Sequence, residues 1–467
     1  MAELQPLTLV LTQLAVIAAV ALPLAAVARV FGRPGWVGGV IAGVLLSSAV
    51  LGRIAPGAFD ALFVGGAALQ ARVADTRAEI ARTQADLESF GVTPEAIPLE
   101  LEAPRQRLAE LEDQLQALQD RRRQQWLWLT LALVTLGAAA AGWRSAGLFQ
   151  GASINEAMPI AVAALVVVAV AATLGAMLAG RMMPGESGTL WFAGLLAGCV
   201  SAPVLMPRAI AGPLVAGRSD LEREDLLRLG GSSSGLMLLI GWLTLMLMAS
   251  DAAGADPAIW PTLVRGLGLL LIGLLGLVIA PPLLSRSVRR GGRIVPALAA
   301  ALAVALVAVG HGWGGLMLPM LGWFVGGMFA PRRLLPTPRD DDPATGGGLA
   351  AMLGVVAAAA VAMHSDIIAG FDLVLVIVVL LSFGDAKAIG VMLGVRWFAG
   401  RRWIDGLRLG AAAGAGGVMP LALAWSAYHV GFVGVELLTA LTLASLAGGL
   451  IAPTLLRLMP QVEQAQT

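Results

Sequence analysis

The sequence predicts an all-α polytopic membrane protein of about thirteen transmembrane helices, with an antiparallel coiled-coil hairpin inserted after the second. Three observations predict it. Of 467 residues, 58% are hydrophobic and 13% charged, about half the charge of a soluble domain. Apolar runs of about twenty residues recur from one end to the other, the length that crosses a hydrocarbon core about 30 Å thick. One long polar stretch interrupts them, and its apolar residues keep a heptad spacing.

Composition also narrows the function. The single Cys199 excludes an internal disulfide and any cysteine-based metal site. A net charge of +1 gives no basic surface for nucleic acid. No acid–base dyad, no nucleophile beside a base and no metal-ligating cluster is legible, so neither enzyme chemistry nor a cofactor is expected.

In chain order the spans fall near 7–29, 35–52, 126–142, 157–180, 190–211, 232–250, 261–283, 294–310, 313–330, 347–364, 371–395, 408–428 and 435–456. The first lacks a basic leader and a small-residue cleavage motif, which predicts a retained span. Arginines then set the orientation. The odd-numbered connections hold Arg29 and Arg33, Arg144, then Arg208 to Arg228, Arg286 to Arg293, Arg332 to Arg339 and Arg396 to Arg408, whereas the connections after spans 6, 8, 10 and 12 hold none. Positive charge stays on the cytoplasmic side. The N-terminus is therefore expected outside a cell (inner) membrane and the C-terminus inside, which requires an odd count and favours thirteen spans over twelve.

Between residues 66 and 125 the text turns polar. Leu69, Val73, Thr76, Ile80, Thr83, Leu87 and Phe90 alternate spacings of four and three, as do Leu101, Leu108, Leu111, Leu115 and Leu118 after a break at Gly91, Pro94 and Pro98. Two heptad arms joined by a breaker predict the hairpin. Following span 2, it is expected outside the cytoplasm. Narrow apolar seams leave two thin arms poorly buried, which predicts docking onto a second copy or another extracytoplasmic protein; self-packing alone is the alternative.

Two spans carry helix breakers in corresponding positions of the two halves. Span 5 has Ser201, Pro203 and Pro207, and span 12 has Gly414, Gly416, Gly417 and Pro420. Proline removes an amide donor and glycine permits unwinding. A pair of interrupted helices in corresponding positions is a feature of secondary transporters built from inverted repeats. Ordinary kinks are the competing reading. Span 11 adds Lys387, the only lysine against thirty arginines, in the text "SFGDAKAIGVMLG".

These texts, in this order, resemble the monovalent cation:proton antiporter superfamily, on its glutathione-regulated potassium-efflux side. "FGRPGWVGGVIAGVLLSSAVLGRIAPGAFDALF" is similar to the family's second span and "AGCVSAPVLMPRAI" to its first broken helix. "GDAKAIGVMLGVRWFAGRRWIDGLRLGAAAGAGG" resembles the lysine-bearing helix and second broken helix, and "VELLTALTLASLAGGLIAPTLLRLM" the last span. The resemblance covers nearly the whole chain outside the hairpin. It implies a homodimer, two crossed broken helices in a mobile core, and exchange of Na⁺ or K⁺ for H⁺. It further implies dimerisation parts at 1–65 and 251–345 and core parts at 126–250 and 346–467, around the inserted 66–125.

The site departs from that family. Where its acids are expected, this chain has Ser201-Ala202-Pro203, Ser232 to Ser234 between glycines, and Gly414-Ala415-Gly416. Hydroxyls and carbonyls coordinate a cation but do not hold an exchanged proton near neutral pH. Lys387 does match a family lysine that pairs with a core aspartate, here missing. Three readings stay open. Lys387 is held neutral by burial, a state arginine does not reach; it pairs with Asp385, which needs unwinding at Gly384; or it caps carbonyls of the broken helix. The transport-site candidates are Lys387, Asp385, Ser201, Ser233 and Ser234. His311, His364, Asp366 and His429 fall at external turns and are read as polar span ends. A membrane anchor that has lost transport and works through its hairpin is the alternative function.

Overall fold

The computed structural model describes residues 6–89, 101–149, 154–182, 348–368, 370–429 and 433–459, with short pieces at 214, 216, 222, 225–227, 229–234 and 236–237. All regular structure among these residues is helical. Span 5, with Ser201, Pro203 and Pro207, spans 7 to 9, and the breaker residues Gly91, Pro94 and Pro98 lie outside them.

Eleven helices carry the account: α1 (Pro6–Val30), α2 (Gly35–Leu46), α3 (Ala67–Ser89), α4 (Glu102–Phe149), α5 (Ile154–Met182), α6 (Gly348–Ala362), α7 (Leu373–Val379), α8 (Ala386–Trp397), α9 (Trp403–Ala413), α10 (Val418–His429) and α11 (Val435–Leu458). Four described segments are long and apolar enough to cross a membrane: Thr8–Val30, Gly35–Ile54, Glu156–Gly175 and Val435–Leu458. The pair α9 and α10, bent by 47°, makes a fifth if it is one span. The chain is therefore read as a membrane protein.

Span 2 was expected to run to residue 52, and the apolar segment does continue to Ile54, but its helix is interrupted: α2 stops at Leu46 and helix resumes at Leu51–Ile54. The Ser47 hydroxyl turns back to donate to the Val44 carbonyl at 2.7 Å, and the backbone goes extended there. A serine competing for the helix's own carbonyls ends it. Span 3 was expected from 126, and α4, a helix of 48 residues, runs through that boundary without a backbone break.

The chain divides into two compact units, residues 1–16 with 48–130 and residues 17–47 with 131–467. In the first, α3 and the start of α4 run in opposite directions. Arg77 pairs with Glu112 at 2.6 Å, while Gly65 and Gly66, at φ of 77° and 87°, bring the chain in against Leu118 and Leu115. A β-carbon at Gly66 would stand 2.7 Å from Leu115 Cδ1, in a backbone region that L-residues avoid. Val73, Thr76, Leu101 and Leu111 are buried, and Leu69, Ile80, Thr83, Leu108, Leu115 and Leu118 are half-buried. The residues of the predicted seam are thus turned inward wherever their side chains are described.

In the second unit, glycines set the helix contacts. A β-carbon at Gly39 or Gly43 of α2 would overlap the carbonyls of Val355 and Ala359 on α6; Gly390 of α8 abuts Ala164 of α5. Gly410 of α9 lies directly against the Ala388 carbonyl of α8. Without lipid-excluding hydrophobic gain between helices, such close backbone approach is what holds them together. Ile160, Ala164, Val391, Leu409 and Ala412 form the shared core, joined by Leu226, Leu229 and Met237. At the other end, Arg33 donates to Leu450 O and to Thr454 Oγ1, and Arg457 Nη2 donates to Gly32 O at 3.3 Å, clasping α11 to the α1–α2 loop.

Candidate functional site

Asp372 opens the lysine-bearing helix as its N-cap. Its Oδ1 accepts from the amides of Val374 at 2.8 Å and Leu375 at 3.1 Å, satisfying donors the first turn leaves without partners. After α7 the helix widens into a π-turn over Leu380–Asp385 before continuing as α8. An inserted residue of this kind changes which side chains face which way and is common at functional sites.

Lys387, in the first turn of α8, is fully buried, and its Nζ donates to the Ala413 carbonyl at 2.9 Å. Ala413 is the last residue of α9. The break that follows was read from Gly414, Gly416, Gly417 and Pro420, and those residues are where the backbone turns. The Gly414 amide closes on Gly410 O at 3.0 Å and the Ala415 amide on Ala412 O at 3.2 Å. Gly416 takes φ of 66°, and α10 starts at Val418. Pro420 lies in the first turn of α10, where its missing amide has no intrahelical partner to lose. The ammonium thus donates to one of the carbonyls a helix end leaves over, on the end where the macrodipole favours a cation. This contact corresponds to the capping reading of Lys387. Among the described residues no ion pair joins it to Asp385.

Asp385 faces elsewhere. A cavity of about 130 Å³ opens at the break, with Gly384, Asp385, Gly414, Gly416, Pro420 and Ser445 among its walls. α11 is pressed against this point. A β-carbon at Gly448 would meet the Gly414 carbonyl at 2.5 Å, and one at Gly416 would stand 3.1 Å from Ser445 O. Gly384 O is 3.6 Å from where a β-carbon of Gly414 would be, so π-turn and break sit side by side. Gly417 borders Pro420 at 3.7 Å, measured the same way.

Ser233 and Ser234 are buried but are not among the walls of that cavity. They lie inside a helical stretch, where Ser233 Oγ donates to Gly230 O at 3.2 Å. His364 packs its ring 5.8 Å from that of buried Trp425, and Asp366 Oδ1 accepts from the Ile368 amide at 3.0 Å. Among the described residues no group of His, Cys, Asp and Glu is placed to hold a metal ion.

No family model matches this chain, and no curated protein matches it.

Two residues of the neighbourhood escape sequence reasoning. Arg408 was placed in a cytoplasmic connection with Arg396, Arg401 and Arg402. It is instead fully buried in α9, where Nη1 donates to Leu214 O at 3.3 Å and Ala216 O at 3.4 Å. The helix begins at Trp403, one and a half turns before the apolar run does, so Arg408 is carried into the core. Arg401 is the loop charge that pairs outward, with Asp225. Ser445 of α11 is the other, a small polar residue in "TLASLAGGL" that only tertiary contact brings to the break.

Proposed function

We propose that the chain is a secondary active transporter of the cation:proton antiporter type, exchanging Na⁺ or K⁺ for H⁺ across a cell (inner) membrane. The observation that carries the reading is a helix broken at Gly414–Gly417 whose first half ends on a buried lysine, Lys387 on Ala413 O. Nonhelical backbone at membrane depth is tolerated where it is buried in protein or lines a cavity, and it is there that transporters bind ions. A cavity lies at this break. The thirteen spans, the homodimer, the outside N-terminus and the cytoplasmic C-terminus belong to this proposal, as does the crossing of a second broken helix through Ser201, Pro203 and Pro207. The test is the protein reconstituted in liposomes loaded with a pH dye. External Na⁺, K⁺ or Li⁺ is expected to move internal pH somewhere between pH 6 and 9; no movement with any of the three contradicts the reading.

A second reading is a membrane anchor without transport. It is favoured by three serines buried where the family the chain resembles carries acids, Ser232 to Ser234, and by the single helix α4, which runs from the polar segment into the expected span 3. In both readings residues 66–125 form a coiled-coil hairpin outside the cytoplasm that docks a second copy or another extracytoplasmic protein. Replacing 66–125 with a short linker is expected to lower the oligomeric state or release a bound partner while leaving ion-driven pH changes in place. An unchanged oligomer and an unchanged set of partners contradict the docking role.

A further inference from the structure

The antiport reading leaves a chemical gap, because the acids expected in the related family are serine, alanine and glycine here. Exchange needs a group that binds a cation or a proton in turn, and a carboxylate is the side chain that does both. At the break there is one. We propose that Asp385, Ser445 and the unwound backbone at Gly414–Gly416 form a site for one small monovalent cation, for which a proton on the Asp385 carboxylate competes. This inference rests on the antiport reading and names where its ion sits.

Four observations converge on it. Asp385 and Ser445 come from different helices yet wall the same cavity of about 130 Å³, enough for an ion and a few waters at about 30 Å³ each. Gly414 and Gly416, where the backbone has left the helix, are among the same walls on the third side. Carboxylate, hydroxyl and carbonyl are the hard oxygen donors that Na⁺ and K⁺ prefer. The π-turn ends at Asp385 and puts it on the cavity while Lys387, two residues later, is turned to Ala413 O.

Charge decides the valence. Among the described residues, Asp385 is the one titratable side chain in the cavity's walls. Lys387 on its own helix is directed to Ala413 O, and Arg408 on α9 to Leu214 and Ala216. Asp405 of α9 is also buried, in the first turn of that helix. α11 is charged only at its ends, Glu436 and Arg457, and α5 likewise at Glu156 and Arg181. One carboxylate, exposed at the cavity, neutralises one monovalent ion; a divalent ion there would keep one positive charge uncompensated.

The probes are radioactive Na⁺ and Rb⁺ (the latter standing in for K⁺), bound to the purified full-length protein on scintillation beads, with transport measured in parallel. Saturable binding of at least one probe is expected, displaced as pH falls. Asp385→Asn abolishes it and Asp385→Glu retains it, while Ser445→Ala weakens it about tenfold. Elution of each variant as the wild-type species shows that the loss is not unfolding. Asp385→Asn binding both probes as wild type does, or wild type binding neither, overturns the inference. If Asp385→Asn binds as wild type and still exchanges ions, the antiport reading stands and only the site is wrong. If wild type binds through Asp385 but moves no protons, the site stands and the antiport reading fails.

Discussion

Lys387→Ala is expected to destabilise the protein by about 4 kcal/mol. Two effects add. The fully buried side chain leaves a hole, and emptying a buried site of this size costs about 2–5 kcal/mol. The Ala413 carbonyl also loses its charged donor, and an unsatisfied buried acceptor costs about 1–3 kcal/mol; partial relaxation of the site keeps the total below their sum. Lys387→Met separates the two effects, because it keeps the volume and removes only the donor, for about 2 kcal/mol. Thermal unfolding in detergent should therefore rank wild type above Met and Met above Ala. Lys387→Arg does not restore stability. A guanidinium adds volume to a side chain that is already fully buried, and its planar fork does not reproduce the compact ammonium's contact with Ala413 O. That is a physical reason for one lysine in a chain that otherwise uses thirty arginines. Alanine and methionine variants melting together, at the wild-type temperature, would contradict this account.

Gly410→Ala carries the second large effect, about 2–3 kcal/mol from a single methyl. Its β-carbon would overlap the Ala388 carbonyl, which is backbone and has no rotamer to give way. α8 and α9 must separate, and Lys387 and Ala413 belong to those same two helices. The effects of Gly410→Ala and Lys387→Met are then less than additive, since each weakens what the other depends on. Gly57→Ala is the control. A β-carbon there meets nothing within 4 Å, and its melting temperature should match wild type. Equal stability of Gly410→Ala and Gly57→Ala would show that the α8–α9 contact is looser than its geometry.

Local chemistry made part of this site legible in the sequence, and tertiary chemistry hid the rest. The break at Gly414–Pro420 is readable because glycine and proline act on their own backbone, whatever surrounds them. The candidate partners of Lys387 were readable for the same reason, since a broken helix must leave carbonyls over. Ser47 is the counterexample. Nothing in "VLLSSAV" breaks a helix by composition, and its hydroxyl ends α2 only by choosing Val44 O. Arg408 was read as the edge of span 12 because the apolar run begins there, while the α9 backbone begins earlier, at Trp403. Asp385 was expected to reach Lys387 only if the helix unwinds at Gly384. A π-turn does run through Gly384 to Asp385, yet Lys387 is turned to Ala413 O, and no residue pattern announces either. At Leu69 to Thr83 and Leu101 to Leu118 the opposite holds: a regular spacing of residues coincides with buried and half-buried positions, because helical periodicity is a local property.

The most direct test of the central claim runs the exchange backwards. Liposomes carrying the protein are made acid inside, diluted into alkaline buffer containing radioactive Na⁺ or Rb⁺, and filtered over time. An antiporter uses the outward proton gradient to accumulate the isotope, so uptake should overshoot its equilibrium level and collapse when ammonium dissipates the gradient. Lys387→Met should retain the overshoot in reduced form, and Asp385→Asn should lose it. Uptake by wild type no greater than by protein-free liposomes, for both isotopes, would contradict the claim that this chain exchanges cations for protons.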